Sequence, residues 1–187
     1  MSRTSIENSR VKKEIINSFF NLLEKKQFSE ITVTDIVKNA GVARASYYRN
    51  FSTKESIIEE YMNSFYDLIM KDINYDDDEN IFNKNNVLDG FERALSYCIV
   101  DKSCILSIYN NGFGSMIQNI FNNYIEYFAG NMPRNSIEQY KLYFISGAVF
   151  NVLIQWLKKG AIESPNEISK VCVSLLEGGI VISQPTK

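Results

Sequence analysis

Histidine is absent from the 187 residues, and cysteine and proline occur three times each. Without an imidazole there is no Ser-His-Asp or Cys-His nucleophile and no histidine-ligated metal. Cys98, Cys104 and Cys172 are odd in number, show no C-x-x-C spacing and lie in apolar helical patterns. They read as buried thiols of a reducing cytoplasm, not as a disulfide framework or a metal site. Nothing basic flanks Cys98 in sequence, as a thiol redox sensor would require. Three prolines and nine glycines are too few breakers for a turn-rich β-sandwich, so helices are expected. The most apolar run, "LYFISGAVFNVLIQWL", contains Ser146, Asn151 and Gln155. It is short for a membrane span and suits a buried helix. The first twenty residues are polar and charged, with no secretory signal. The expectation is a cytoplasmic protein with no cofactor, no metal and no membrane partner.

What the chain does have is 45% apolar residues, enough for a core, and an uneven charge. Through Lys54 there are ten Lys and Arg against five Asp and Glu, a balance of +5. From Glu55 onward the count is ten against seventeen, a balance of −7. A basic head on an acidic body implies that only the head meets a polyanion.

Helical spacing of Val11, Ile15, Phe19, Leu22 and Leu23 predicts a first helix over about Ser5–Lys26. Thr32 can cap the next, with Asp35 three residues on, and Gly41 ends it as a left-handed position would. A short helix follows from about Arg44 to Phe51. Another begins after Thr53 and ends near "NYDDDEN", which lacks the glycine and distal glutamate of a calcium loop and reads as a solvated linker. Helices are then expected over about Asn86–Val100, Lys102–Tyr109, Ser115–Ala129 and Ser136–Lys159. "NNGFGS" and "GNMPRN" are read as breaks. The lone G-x-G of the first follows no strand, so it is a poor phosphate cradle. The Ser136–Lys159 helix is apolar nearly all round and should be buried on most sides. Ser164, Pro165 and Glu167 open a last helix, to about Leu176, with a capping box.

Two short helices joined at a glycine, the second one basic, describe a helix-turn-helix whose second helix enters the DNA major groove. Ile36, Val37, Ala40, Val42 and Tyr47 form its inner face. Arg44, at the start of the second helix, has the fork that reads guanine. Ser46 and Tyr48 carry hydroxyls for phosphates, and Arg49 and Lys54 add charge near the backbone. Tyr47 packs inward, with its hydroxyl expected near the rim.

The segment "ITVTDIVKNAGVARASYYRNFSTKESII" resembles the DNA-binding head of the TetR/AcrR family of transcriptional regulators. The shared features are Thr32-Val33, Asp35-Ile36, Ala40-Gly41-Val42, Tyr48, Phe51 and Lys54-Glu55, within a likeness running from Ser5 to Tyr61. The resemblance implies that Tyr48 and Lys54 hold phosphates, and that Thr34 meets DNA from the start of the bracing helix. It also sets Arg44, Ala45 and Arg49 at bases or nearby backbone. Three positions depart from the family pattern. Val37 replaces a usual alanine, Ala43 a capping Ser or Thr, and Tyr47 a common leucine.

The fold expected is all-α: a three-helix DNA-binding head, residues 1–54, and a helical effector-sensing and dimerisation domain, residues 55–187. The resemblance implies a homodimer on a palindromic operator, formed by the last two helices and by Trp156. It also implies an effector that switches DNA binding, most often by a repressor. A small apolar or aromatic effector would be bound by Phe65, Tyr66, Phe91, Tyr109, Phe113 and Phe144, unless these aromatics, at helical spacing, are packed core. The tail "WLKKGAIESPNEI" resembles TetR-like regulators grouped with the activator of the dihydroxyacetone kinase operon, for which a partner protein carries the signal. Two other classes compete. An all-α enzyme would need a paired nucleophile and base, which the chain lacks. An adaptor that has lost DNA binding would not need Tyr48 and Lys54.

Overall fold

A computed structural model of the chain describes residues 3–71, 84–129 and 137–178. The segments "NYDDDEN" and "GNMPRN" lie outside the described residues. Every regular element among those described is helical: α1 (Arg3–Leu23), α2 (Val33–Ala40), α3 (Arg44–Asn50), α4 (Glu55–Lys71), α5 (Lys84–Val100), α6 (Lys102–Ile108), α7 (Gly114–Ala129), α8 (Glu138–Lys158) and α9 (Pro165–Gly178). The all-α expectation holds, with ends within a few residues of those read from spacing.

The chain packs as two units. The first takes residues 1–65 and 103–117, and the second residues 66–102 and 118–187. The sequence boundary at Lys54 therefore differs from the packing boundary.

In the first unit, α1 buries Ile15, Phe19, Phe20 and Leu23. Ser18, also buried, donates its hydroxyl to the Ile36 carbonyl at 2.8 Å and pins α1 to α2. The Thr32 hydroxyl accepts the Asp35 N–H at 3.1 Å, and the Asp35 carboxylate accepts the Thr32 N–H at 3.0 Å. This closes the expected capping box on α2. Gly41 ends the helix at φ 64°, left-handed as anticipated. Lys12 and Glu60 pair between α1 and α4 at 2.5 Å.

The expected break at "NNGFGS" is found: a kink at Gly112 separates α6 from α7. Residues Tyr109–Phe113 form the kinked turn between α6 and α7, and Gly112 takes φ 90° inside it. An L side chain rarely adopts that angle, so glycine is what lets the helical course break and turn here. This turn packs into the first unit. Asn111 accepts the Phe28 N–H at 2.9 Å, and the Phe113 ring meets the Phe28 ring edge-on at 4.7 Å. Phe28 belongs to a 3₁₀ turn, Phe28–Glu30, in the link between α1 and α2.

In the second unit, α5 packs against α9. Asn166 donates to Glu92 at 2.6 Å across that contact, and the Tyr124 hydroxyl ties α7 to the Gly90 carbonyl at 3.1 Å. Buried Ser146 on α8 bonds Gln118 and Asn122 on α7 at 2.9 and 2.7 Å. Val149, Leu153, Ile154, Trp156 and Leu157 are buried, but Tyr140, Tyr143 and Phe144 are exposed. The expectation that α8 is buried on most sides holds only for its C-terminal half. Trp156 is a core residue that donates to the Glu163 carbonyl at 3.1 Å, not an open interface residue. The Ser164–Glu167 box caps α9 as read from sequence.

Candidate nucleic-acid interface

The helix-turn-helix is α2, the turn at Gly41, and α3. Ala43 stands at the N-cap of α3 and offers no side-chain cap, as its methyl group dictates. Helical spacing then divides the seven residues of α3. Tyr47 faces inward and is 0% exposed, packed against Phe51 and edge-on to Tyr48. Its hydroxyl is buried without a hydrogen-bond partner. Burial, with Tyr48 and Glu55 nearby, pushes the phenol up to about 12. The rim position expected for this hydroxyl is thus corrected. The Tyr47 side chain, one of the residues assigned to DNA, is turned into the head and packs behind α3.

The outward face carries Arg44, Ala45, Tyr48 and Arg49, all exposed, with Ser46 half-buried beside them. Thr34, from the first turn of α2, is exposed as well. Arg44 joins the two helices: Nη1 donates to the Thr34 hydroxyl at 3.0 Å and Nη2 to the Tyr48 hydroxyl at 3.0 Å. Its guanidinium carbon lies 5.5 Å from the Tyr48 ring centroid. Tyr48 keeps 53% of its surface open. The result is a compact patch of one fixed cation and two hydroxyls, with Arg49 further along α3.

Lys54 sits differently from its sequence reading. The ammonium is turned into the head, where it donates to the carbonyls of Phe28 at 2.8 Å and Ile31 at 2.6 Å. It also lies 4.3 Å from the Phe28 ring centroid. Two of its three N–H groups are spent inside the protein. Sequence spacing had no signal for this, because the partners stand 26 and 23 residues away.

The residues expected to bind an effector are dispersed in role. Phe65 is buried against Tyr61, Phe113 is engaged with Phe28, and Tyr109 is half-buried in the kinked turn. Phe91 is buried in the second unit and Tyr66 is half-buried. Phe144 is 66% exposed, so its place in an enclosed lining is corrected: that side of α8 is uncovered in the single chain. The second unit does hold a groove of about 530 Å³ along α5, lined by Asp89, Glu92, Arg93, Ser96, Tyr97 and Val100. These positions form one helical stripe. Among the described residues no cluster can hold a metal and no helix is long and apolar enough to cross a membrane. Cys98 is buried and its thiol is pushed up to about 12 by desolvation and by Asp101, the reverse of a reactive cysteine.

Comparison with known proteins follows this geometry. Residues 15–61 match the model of bacterial regulatory proteins of the tetR family, and residues 85–178 that of a transcriptional regulator C-terminal region. The transcriptional regulator EthR of Mycolicibacterium smegmatis is 46% identical over 37 residues, 20% of this chain and 17% of that protein. The match thus spans less than a fifth of that relative's length. A TetR regulator from Streptococcus agalactiae superposes with a TM-score of 0.68 at 16% identity, covering 92% of this chain and 97% of that one. The dihydroxyacetone kinase operon activator DhaS gives 0.61 at 18%, covering 89% and 94%. FadR from Bacillus subtilis, solved with stearoyl-CoA, gives 0.60 at 18%, covering 90% and 99%. At these identities the structural likeness is one of fold, whereas the two family models together span both the head and most of the body. The chain belongs to the TetR family of transcriptional regulators, a DNA-binding helix-turn-helix protein and not an enzyme.

Proposed function

We propose that the protein acts as a homodimer that reads a palindromic operator with α3 and is switched by a signal received in its C-terminal domain, most simply as a repressor. Residues 1–54 serve as the reading head and residues 55–187 as the sensing and dimerising body. The observation that carries this is the outward face of the helix-turn-helix. Thr34, Arg44, Ala45, Ser46, Tyr48 and Arg49 lie on it with no acidic side chain among them. One such head covers too little DNA to be selective, so two heads related by a two-fold axis are needed, on half-sites about 34 Å apart or a multiple of that. The open aromatic side of α8 supports the dimer: Tyr140 is 73% exposed, and Tyr143 and Phe144 follow it. Val171 and Leu175 are the exposed apolar residues of α9. Large apolar side chains left open in this number favour a covered face.

The effector is either a small molecule, as in the FadR complex with an acyl-CoA, or a partner protein. The charged lining of the α5 groove and the tail resemblance favour the second over a purely apolar ligand. The test is a titration of purified protein into fluorescent duplex DNA at a series of salt concentrations. Binding that weakens steeply and linearly on a log–log plot, with a slope set by several phosphates, is expected. Binding that is absent or insensitive to salt would favour an adaptor.

A further inference from the structure

We propose that Arg44 is a positioning residue, which holds the Thr34 and Tyr48 hydroxyls for donation to DNA phosphates, and is not the base reader its place at the start of α3 suggests. The inference rests on the reading of this face as the DNA surface.

The geometry supplies the direction of each bond. A guanidinium has only donors, so at 3.0 Å both hydroxyl oxygens accept from it. Each hydroxyl has a single proton, and that proton cannot point back at Arg44. Among the described residues no protein group accepts it from Thr34 or from Tyr48. Both protons therefore turn outward, from exposed side chains on two different helices. A cation bonded to the oxygen polarises each O–H and makes it a stronger donor. What faces solvent is a patch of donors with positive charge behind it. Its best partner is an anion that only accepts, which on duplex DNA is the phosphate oxygen.

The alternative use of Arg44 is less compatible with this arrangement. Forking onto guanine takes two parallel N–H groups presented together. Here one N–H of each terminal nitrogen is already spent on a protein hydroxyl, so the orientation of the fork is set by those bonds, and the guanidinium rests near the Tyr48 ring. Keeping the fork where it is also has a geometric benefit. Arg44 ties the first turn of α2 to the second turn of α3, so the two hydroxyls arrive at the backbone with their spacing set beforehand. Sequence reading then falls to other exposed residues of α3, Ala45 and Arg49 being the nearest.

The test is a double-mutant cycle on the full chain with Arg44→Ala, Tyr48→Phe and the pair, each titrated against a random-sequence duplex. Motif selection from a random DNA pool is run in parallel for wild type and Arg44→Ala. All these sites are exposed, and thermal melts check that each variant stays folded. The expected result is that each single change weakens binding about tenfold. The pair should cost little more than either alone, because the two act as one unit. The selected motif should be unchanged. Arg44→Lys should fail to restore binding, since an ammonium keeps the charge but lacks the fork. An Arg44→Ala motif relaxed at one base pair, with additive losses in the cycle, would overturn the proposal and restore base reading. Failure of wild-type protein to bind any duplex would refute the DNA-binding reading itself, a result distinct from an altered motif.

Discussion

Replacing Lys54 with methionine separates two roles that the sequence alone runs together. Methionine keeps an unbranched stem against Phe28 and removes the ammonium. The structure assigns that ammonium two charge-assisted hydrogen bonds, to the Phe28 and Ile31 carbonyls, and one contact with the Phe28 ring. A hydrogen bond to a charged group contributes about 1.5–3 kcal/mol where water is excluded. Lys54 is only half-buried, so the orphaned carbonyls can recover water and the lower end applies. A cation over a ring adds about 0.5–1 kcal/mol. Allowing for solvent, the expected loss is about 2–3 kcal/mol. Urea unfolding of Lys54→Met, followed by far-ultraviolet circular dichroism, reads it as a lowered midpoint with little change in slope. The effect should survive added salt better than a surface ion pair would. A stability within about 0.5 kcal/mol of wild type, the range of an ordinary surface change, would refute this. Such a result, joined to a DNA salt dependence reduced by about one phosphate, would return Lys54 to the backbone contact that the family resemblance implied.

Tyr47→Phe removes a buried hydroxyl that has no partner, so stability should stay level or rise by up to about 1 kcal/mol; a loss beyond 1 kcal/mol would mean that the hydroxyl is satisfied. Gly112→Ala puts a side chain at φ 90° with no neighbour within 4 Å, so the cost is backbone strain alone, about 1–2 kcal/mol in the same urea assay, and a neutral result would contradict the kinked turn. The Thr32 hydroxyl and N–H hold the Asp35 carboxyl below its ordinary value, and the Ser164 N–H and hydroxyl do the same for Glu167. A depressed carboxyl adds stability above its unfolded pKa and loses it as pH falls through the folded one, so the starts of α2 and α9 should weaken below about pH 4. A carbon-detected titration placing Asp35 at or above the usual aspartate value would contradict the capping box. Phe144→Asp, at an exposed site, should leave the fold intact and turn a dimer to monomer in sedimentation, whereas a dimer that persists would move the interface elsewhere.

Local chemistry was well recorded in the sequence. The Thr32–Asp35 and Ser164–Glu167 boxes, the left-handed Gly41 and the inward Tyr47 all depend on neighbours within a few residues, and all are found as read. What spacing could not reveal is long-range. The bond from Phe28 to Asn111 spans 83 residues, and neither partner is marked by periodicity. Lys54 carries the family signature, yet its ammonium is aimed by carbonyls of and beside a 3₁₀ turn, 26 and 23 residues away in the chain. Gly112 marked the break between α6 and α7 correctly, but where the kinked segment docks is decided by what Asn111 and Phe113 find to pack on. Apolar spacing on α8 identified a sticky helix. It could not say which side is covered by its own chain, and so Phe144 was assigned to an interior it does not enter.

The most direct test of the regulator reading is selection of bound duplexes from a random DNA pool by the purified protein at near-physiological salt. Enrichment of a two-fold symmetric motif, with half-sites about one helical turn apart or a multiple of it, is the expected result. A pool that stays random, or a single half-site with no symmetry, would contradict the dimeric operator reader.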